Sequence, residues 1–329
     1  MNTFRCVIAT MLLAMASSVA NAQCTGSTIV ADACTKVTDL LNYATPQFST
    51  ALAEGSATMG QGGTLAGLGH VAVSVRATAV VGAMPKFNGT AFNTGGAVPT
   101  SFSSENVPVP MLTADAAIGI YRGISLGVTH VGGVDALVSA TYLPNVNGGD
   151  MKMTVAGSNM KFGYGVRVGI LEESLLAPGV AISFIQRDLP TFSISGASNV
   201  AAAGANAPGT FALNDFTLQT SAIRLTASKS FLIFALNAGI GQDTYKGSSN
   251  LRVTVTPAVG GAQAGAGSTS MSMTRTNMFV GTQINLFLFK IVGELGQVTG
   301  GSTPALKNNF GAAADKSRNY ASVGVRFAL

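Results

Sequence analysis

Residues 160–171, MKFGYGVRVGIL, alternate almost without fault. Phe162, Tyr164, Val166, Val168 and Ile170 share one parity, and Lys161, Gly163, Gly165, Arg167 and Gly169 share the other. A strand repeats every two residues, so this is a strand with one apolar, partly aromatic face and one face of glycine and cations. The same period returns along the chain. HVAVSVRATAVV (70–81) sets Val71, Val73, Val75, Ala77 and Ala79 against His70, Ser74, Arg76 and Thr78, and strand-like segments follow at 113–121, 134–143, 179–187, 215–227, 231–245, 274–284, 288–298 and 319–329. The pattern predicts ten strands, or twelve if LRVTVT (251–256) pairs with a further segment instead of extending a hairpin. Upstream, 33–56 has helical spacing, with Val37, Leu40 and Leu41 on one side and Pro46 breaking it, which predicts one or two short helices before the sheet.

The connections alternate in length. Long ones lie near 83–110, 189–212, 246–270 and 300–316, a moderate one at 144–152, and short ones near 122–127, 171–178, 228–230 and 285–287. Long loops on one side and short turns on the other suit an antiparallel up-and-down transmembrane barrel. A soluble sandwich also alternates, but its second face meets water and collects Thr, Lys and Glu. Here that face is Gly, Ala, Ser and Asn with isolated arginines, as an enclosed lumen would be. Arg76, Arg167, Arg187, Arg224, Arg252 and Arg326 all take the parity opposite their apolar neighbours, as do Asp243 and Glu294. An arginine on the lipid face near the midplane costs about 2–4 kcal/mol, so these residues are expected inside, lining the lumen.

Composition agrees with lipid contact. Only 10% of the 329 residues are charged and 47% are apolar, with 40 Gly. The first residues read as a secretory signal: Arg5, an apolar run from Cys6 to Ala16, and Ala20-Asn21-Ala22 as the cleavage site. This divides the chain into a signal peptide (1–22), an N-terminal periplasmic or lumen-plug segment (23–68) and an outer-membrane barrel (69–329). Two cysteines, Cys24 and Cys34, then reach an oxidising space, where a structural short-loop disulfide is expected. The formal charge of +5 falls to +4 when Arg5 leaves with the signal, and its cations are scattered among apolar residues. A nucleic-acid surface is not built that way.

The last strand places Ala321, Val323, Val325, Phe327 and Leu329 on one face and Tyr320, Ser322, Gly324 and Arg326 on the other. With the N-terminal signal, this closing strand resembles the bacterial outer-membrane β-barrel family. The resemblance implies outer-membrane lipid as the surroundings and recognition of the C-terminal strand by the barrel-insertion machinery. Members usually finish on Phe or Trp, whereas this chain ends Phe327-Ala328-Leu329 and has no Trp, leaving 6 Tyr and 17 Phe for the interface girdles.

Other motifs carry little. Gly123-Ile124-Ser125-Leu126-Gly127 fits the nucleophile elbow, with His130 nearby, but the elbow needs a following helix and VTHVGGVDALVSATYL reads as strand. The only histidines, His70 and His130, sit on the turn side, and no CxxC, HExxH or complete phosphate-loop spacing occurs. No catalytic residue, metal or cofactor is expected. GASNVAAAGANAPG (196–209) and GGAQAGAGSTSMSM (260–273) read as flexible outer loops. The leading functional expectation is passage of a small solute through a lumen whose polarity Arg76, Arg167, Arg224 and Arg326 set against Asp243 and Glu294. Two alternatives stand beside it: a closed structural or adhesive barrel acting through its loops, and a hydrophobic-compound transporter with an N-terminal plug.

Overall fold

A computed structural model describes residues 26–85, 92–93, 96–148, 151–202, 205–256 and 261–328. Ten strands form its wall: β1 (Val71–Pro85), β2 (Ser104–Tyr121), β3 (Val134–Tyr142), β4 (Met160–Leu171), β5 (Gly179–Asp188), β6 (Ala205–Phe231), β7 (Phe234–Val255), β8 (Gln263–Asn285), β9 (Lys290–Thr299) and β10 (Arg318–Ala328). Each pairs antiparallel with its neighbours in sequence, and β10 returns to β1 through Val75↔Val325. The ring is closed, which removes both free edges.

The outward row of the lower wall is apolar. Val75, Ile118, Phe162, Tyr164, Ile182, Ile223, Leu236, Val280 and Val323 are all exposed there, between 40 and 67%. Aromatic rings rim the belt, Tyr142, Phe162 and Tyr164 above and Tyr121, Phe231, Phe234, Phe287 and Phe327 below. A water-facing sheet with such a continuous belt would aggregate, whereas hydrocarbon accepts it. The architecture is that of a transmembrane β-barrel of the outer-membrane type.

All ten expected strands are present, but several run further at the long-loop end, three of them by a wide margin. β6 has 27 residues, β7 22 and β8 23, against the 9–11 or so that cross a membrane. The stretches read as flexible Gly- and Ala-rich loops are therefore strand over Phe192–Ala202, the upper part of β6 and the upper part of β8. Small residues gave no strong alternation, yet ladders on both sides hold them: Phe192–Ala202 pairs with β6 and, through Met151–Val155, with the hairpin begun at Val146–Gly148. LRVTVT extends the β7–β8 hairpin and adds no strand to the ring. The turn expected at 228–230 lies instead at Leu232-Ile233, because Ser228 and Lys229 are tied into the sheet. Lys229 donates to the carbonyls of Ser174 and Leu175 in the adjacent turn.

The N-terminal helix, α1 (Thr28–Ala53), is one 26-residue element that runs through Pro46. Proline removes one backbone bond and crowds the preceding turn. Hydroxyls on either side support that turn, Thr45 donating to the Leu41 carbonyl at 2.7 Å and Thr50 to the Pro46 carbonyl at 2.8 Å. Twenty-one of the 26 residues are buried, so the helix is enclosed all round. Its apolar side packs against inward residues of the upper wall, including Val80, Met111, Phe211, Leu213, Leu251 and Val253.

Candidate functional site

The candidate site is the interior of the ring, where α1 and the residues after it meet the inward side chains. Near its N-terminus α1 is held by the long connections. Ser27 hydrogen-bonds Gln263 at the upper end of β8. Asp32 accepts the backbone N–H of Asn93 (2.6 Å) and Val98 (3.1 Å) and pairs with Lys36 at 2.9 Å. Two turns beyond Asp32, Asp39 accepts the N–H of Lys307 and of Asn308, each at 2.8 Å, and the Asn308 amide at 2.7 Å. Burial raises the Asp39 carboxyl above its ordinary pKa, and those donors from Asn308 and Lys307 pull it back only in part. Tyr43 stacks on Phe310, which stacks on Phe102, with centroids 4.5 and 4.9 Å apart.

The other end of α1 meets the arginines. A helix C-terminus leaves carbonyls without partners and carries partial negative charge, which favours cations. Arg187 and Arg224 donate to the Ala53 carbonyl at 2.9 and 2.8 Å, and Arg76 donates to that of Glu54. Acids on the wall and on the segment balance these cations. Asp115 bridges Arg76 (2.8 Å) and Arg187 (3.2 Å). Arg224 meets Glu54 at 2.9 Å and Asp243 at 3.5 Å, and Asn277 donates to both carboxylates. Gly55, with φ +83°, follows directly; a Cβ there would lie 2.1 Å from Arg76 Nη1.

Below, the chain crosses the ring toward the short turns. Ser56 donates to Glu294 at 2.9 Å, and Tyr320 donates to the same carboxylate at 3.0 Å. Arg326 donates to the Met59 carbonyl at 2.5 Å, while Arg167 reaches Thr58 at 2.5 Å and Asp135 at 2.6 Å. Asp135 also accepts the Leu65 N–H at 3.1 Å, and Gly62 donates to Ser228 at 2.7 Å. Gly67 then crosses β2 so closely that a Cβ on Gly119 would fall 2.2 Å from its carbonyl oxygen. In the turn after β4, burial raises the Glu172 carboxyl, and the Thr64 hydroxyl bonded to it at 2.7 Å opposes the shift.

Seven residues were expected in the lumen: Arg76, Arg167, Arg187, Arg224, Arg326, Asp243 and Glu294. All are between 0 and 3% exposed, and the structure brings them together around residues 53–65. Arg252 corrects the parity reading: it is exposed, and its apolar neighbours Leu251 and Val253 point inward. Above the belt the apolar row turns into the interior, so parity relative to apolar neighbours reverses its meaning. Asp115, Asp135, Glu54 and Asn277 were missed, although the two aspartates have a signal, each being a lone acid inside an alternating strand. A cavity of about 20 Å³ beside Arg167 and Arg224 is room for roughly one water.

Ser125 and His130 are cross-strand partners in the turn hairpin Ile124–Leu126/Thr129–Val131. A strand, not a helix, follows, and no hydrogen bond joins the two side chains among the described residues. His70 lies just before β1, its ring nitrogen 3.3 Å from the Gly67 carbonyl. Among the described residues no three His, Cys, Asp or Glu side chains are grouped to hold a metal. Cys34 is buried on α1 at 2% exposure; Cys24 and the expected signal lie outside the described residues.

No family model matches the chain, and no curated protein does. The solved structures that it is similar to include bacterial outer-membrane barrels. Ail, the attachment invasion locus protein of Yersinia pestis, shares 12% identity over 80% of this chain and 99% of its own, with a TM-score of 0.26. TodX, the toluene transporter of Pseudomonas putida, shares 11% over 84% and 97%, at 0.32. The outer membrane protease OmpT of Escherichia coli shares 9% over 79% and 96%, at 0.31. Their roles differ, and superpositions this loose transfer none of them.

Proposed function

We propose that this is a self-sealed outer-membrane barrel that acts through the structure it holds above the membrane. The carrying observation is the direction of residues 27–70. They enter beside Gln263 at the long-loop end, pass the arginine cluster at 53–55 and leave beside Gly119 at the short-turn end before β1 begins. This supports reading residues 23–68 as a lumen plug in place of a periplasmic domain. With long loops outside, the start of α1 faces the cell surface, where a Cys24–Cys34 bond would tie the preceding residues to the helix. A structural or adhesive role of the upper wall follows.

Two measurements test this reading. An epitope placed between Gln23 and Gly26 should be reached by antibody on intact cells, and the purified protein should give no steady conductance in a planar bilayer. An epitope reached only after permeabilisation would defeat the surface assignment. Solute passage is the second reading, favoured by the polar nature of the seal, since carbonyl-to-arginine contacts can exchange with water. It predicts conductance steps from an Arg187→Met/Arg224→Met variant that still migrates as a folded barrel before boiling.

A further inference from the structure

Outside the ring, a cleft of about 520 Å³ opens where the β4–β5 ladder stops. The last paired residues are Tyr164↔Gln186, and the next link above is the Ala156 N–H to the Thr191 carbonyl at 2.8 Å. Beside this break one row of residues crosses four strands, β5 to β8, at a common height, through Asp188↔Gln219, Gln219↔Lys246 and Lys246↔Ser272. Leu218, Gly247 and Met271 form the floor, and α1 closes it from behind, since a Cβ on Gly247 would lie 3.0 Å from Thr45.

The cleft is cationic and rich in hydroxyls. Lys161 and Lys246 both line it and are exposed, and neither makes an ion pair among the described residues. Lys161 stands on the inward row of β4 and reaches the cleft only because the ladder is broken beside it. The one carboxylate, Asp188, accepts the Gln219 amide at 3.1 Å, while Thr217 and Ser248 share a hydrogen bond at 2.8 Å. Two free ammonium groups beside hydroxyl and amide donors suit an anion carried on a sugar.

Height identifies the carrier. Lys246 lies 12 residues up β7 from Phe234. At about 3.4 Å per residue and a tilt of about 40°, that is roughly 30 Å above the lower rim, against an apolar band about 25 Å tall. The outward row of β7 ends its apolar run at Ile240 and continues with Gln242, Thr244 and Lys246. A lipid packed against the belt would hold its headgroup at this level. We infer that the cleft binds the phosphorylated sugar headgroup of an outer-leaflet glycolipid, an inference that rests on the long loops facing outward.

Native mass spectrometry of the detergent-purified full chain tests it, with an acylated diglucosamine bisphosphate, its dephosphorylated counterpart and inorganic phosphate as probes. The bisphosphate should be retained. Removing its phosphates, or substituting Lys161→Met/Lys246→Met, should each weaken binding at least about tenfold, the scale of one charge-assisted hydrogen bond, and Lys161→Arg/Lys246→Arg should restore it. Equal binding of both lipids, or of wild type and the methionine variant, would overturn the site, and inorganic phosphate binding as tightly as the lipid would overturn the lipid as carrier. The dephosphorylated arm uses wild-type protein and stands even if a variant misfolds. Because these readings are made in detergent, they are independent of the surface-epitope result that tests the orientation.

Discussion

The lower and upper halves of β7 are one strand with one register and opposite chemistry. From Phe234 to Ile240 the outward row is Phe234, Leu236, Ala238 and Ile240, while inside stand Asn237 and, further up, Asp243. From Lys246 onward the outward row is Lys246, Ser248, Asn250, Arg252 and Thr254, and the inward row becomes Leu251, Val253 and Val255. Side-chain direction never slips. What changes is the surroundings: hydrocarbon outside and an ion-paired segment inside below, water outside and the apolar face of α1 inside above. An arginine is thus buried at position 224 and exposed at position 252 by the same energetic rule.

The largest effect should come from the lower interior. Arg224→Met removes the cation that faces Glu54 and Asp243 and leaves both carboxylates buried, a loss of about 3–5 kcal/mol. Urea unfolding in detergent micelles should show it as a lower midpoint at unchanged slope. If stability held to within about 1 kcal/mol, the pairs seen here would not be what keeps the segment in place. The upper interior should fail in a different way. Leu251→Ala opens a void against α1 and should cost about 3 kcal/mol, leaving the arginine cluster intact and the bilayer nonconducting.

How much of this was legible follows from the same division. Below the belt's upper edge the alternation of Phe162 to Ile170 and of Val71 to Ala79 is strong, because hydrocarbon selects one row and the enclosed lumen the other. Strand order, strand number and seven inward ionic residues could therefore be read. Above it, Ala264 to Ser270 offers small side chains to both sides, and nothing local separates a paired strand from a loop. The pairing is fixed there by partners distant in sequence, such as Ala264 opposite Thr254. Pro46 misled for a related reason: a helix enclosed by strands tolerates a defect that would end an exposed one. The role of the arginines was also beyond local reading. Their parity shows that they point inward; only the position of Ala53 to Gly55 shows which carbonyls they meet there.

A substitution on the outward row probes the belt directly. Val280→Arg, opposite Ala238 and near the middle of the belt, places a guanidinium in the lipid-facing band and should cost at least about 2 kcal/mol, with poorer assembly into vesicles. The effect should weaken as the host lipid is thinned, because a shorter hydrocarbon layer brings the charge nearer to its surface. A cost independent of lipid thickness would point to a packing fault in the wall instead.

The smallest effect is the most discriminating. Arg252→Gln removes a cation of the same type as Arg224, from a strand paired to it, at a position whose apolar neighbours have the same spacing. Because Arg252 is exposed on the outer wall above the belt, its loss should change stability by no more than about 0.5 kcal/mol and should leave conductance and assembly as in wild type. The contrast with Arg224 is then at least sixfold in free energy between two residues that sequence parity treats alike. A loss at Arg252 approaching that at Arg224 would mean that the upper half of β7 is enclosed on its outer side as well, and that the inversion of faces stops short of the long-loop end.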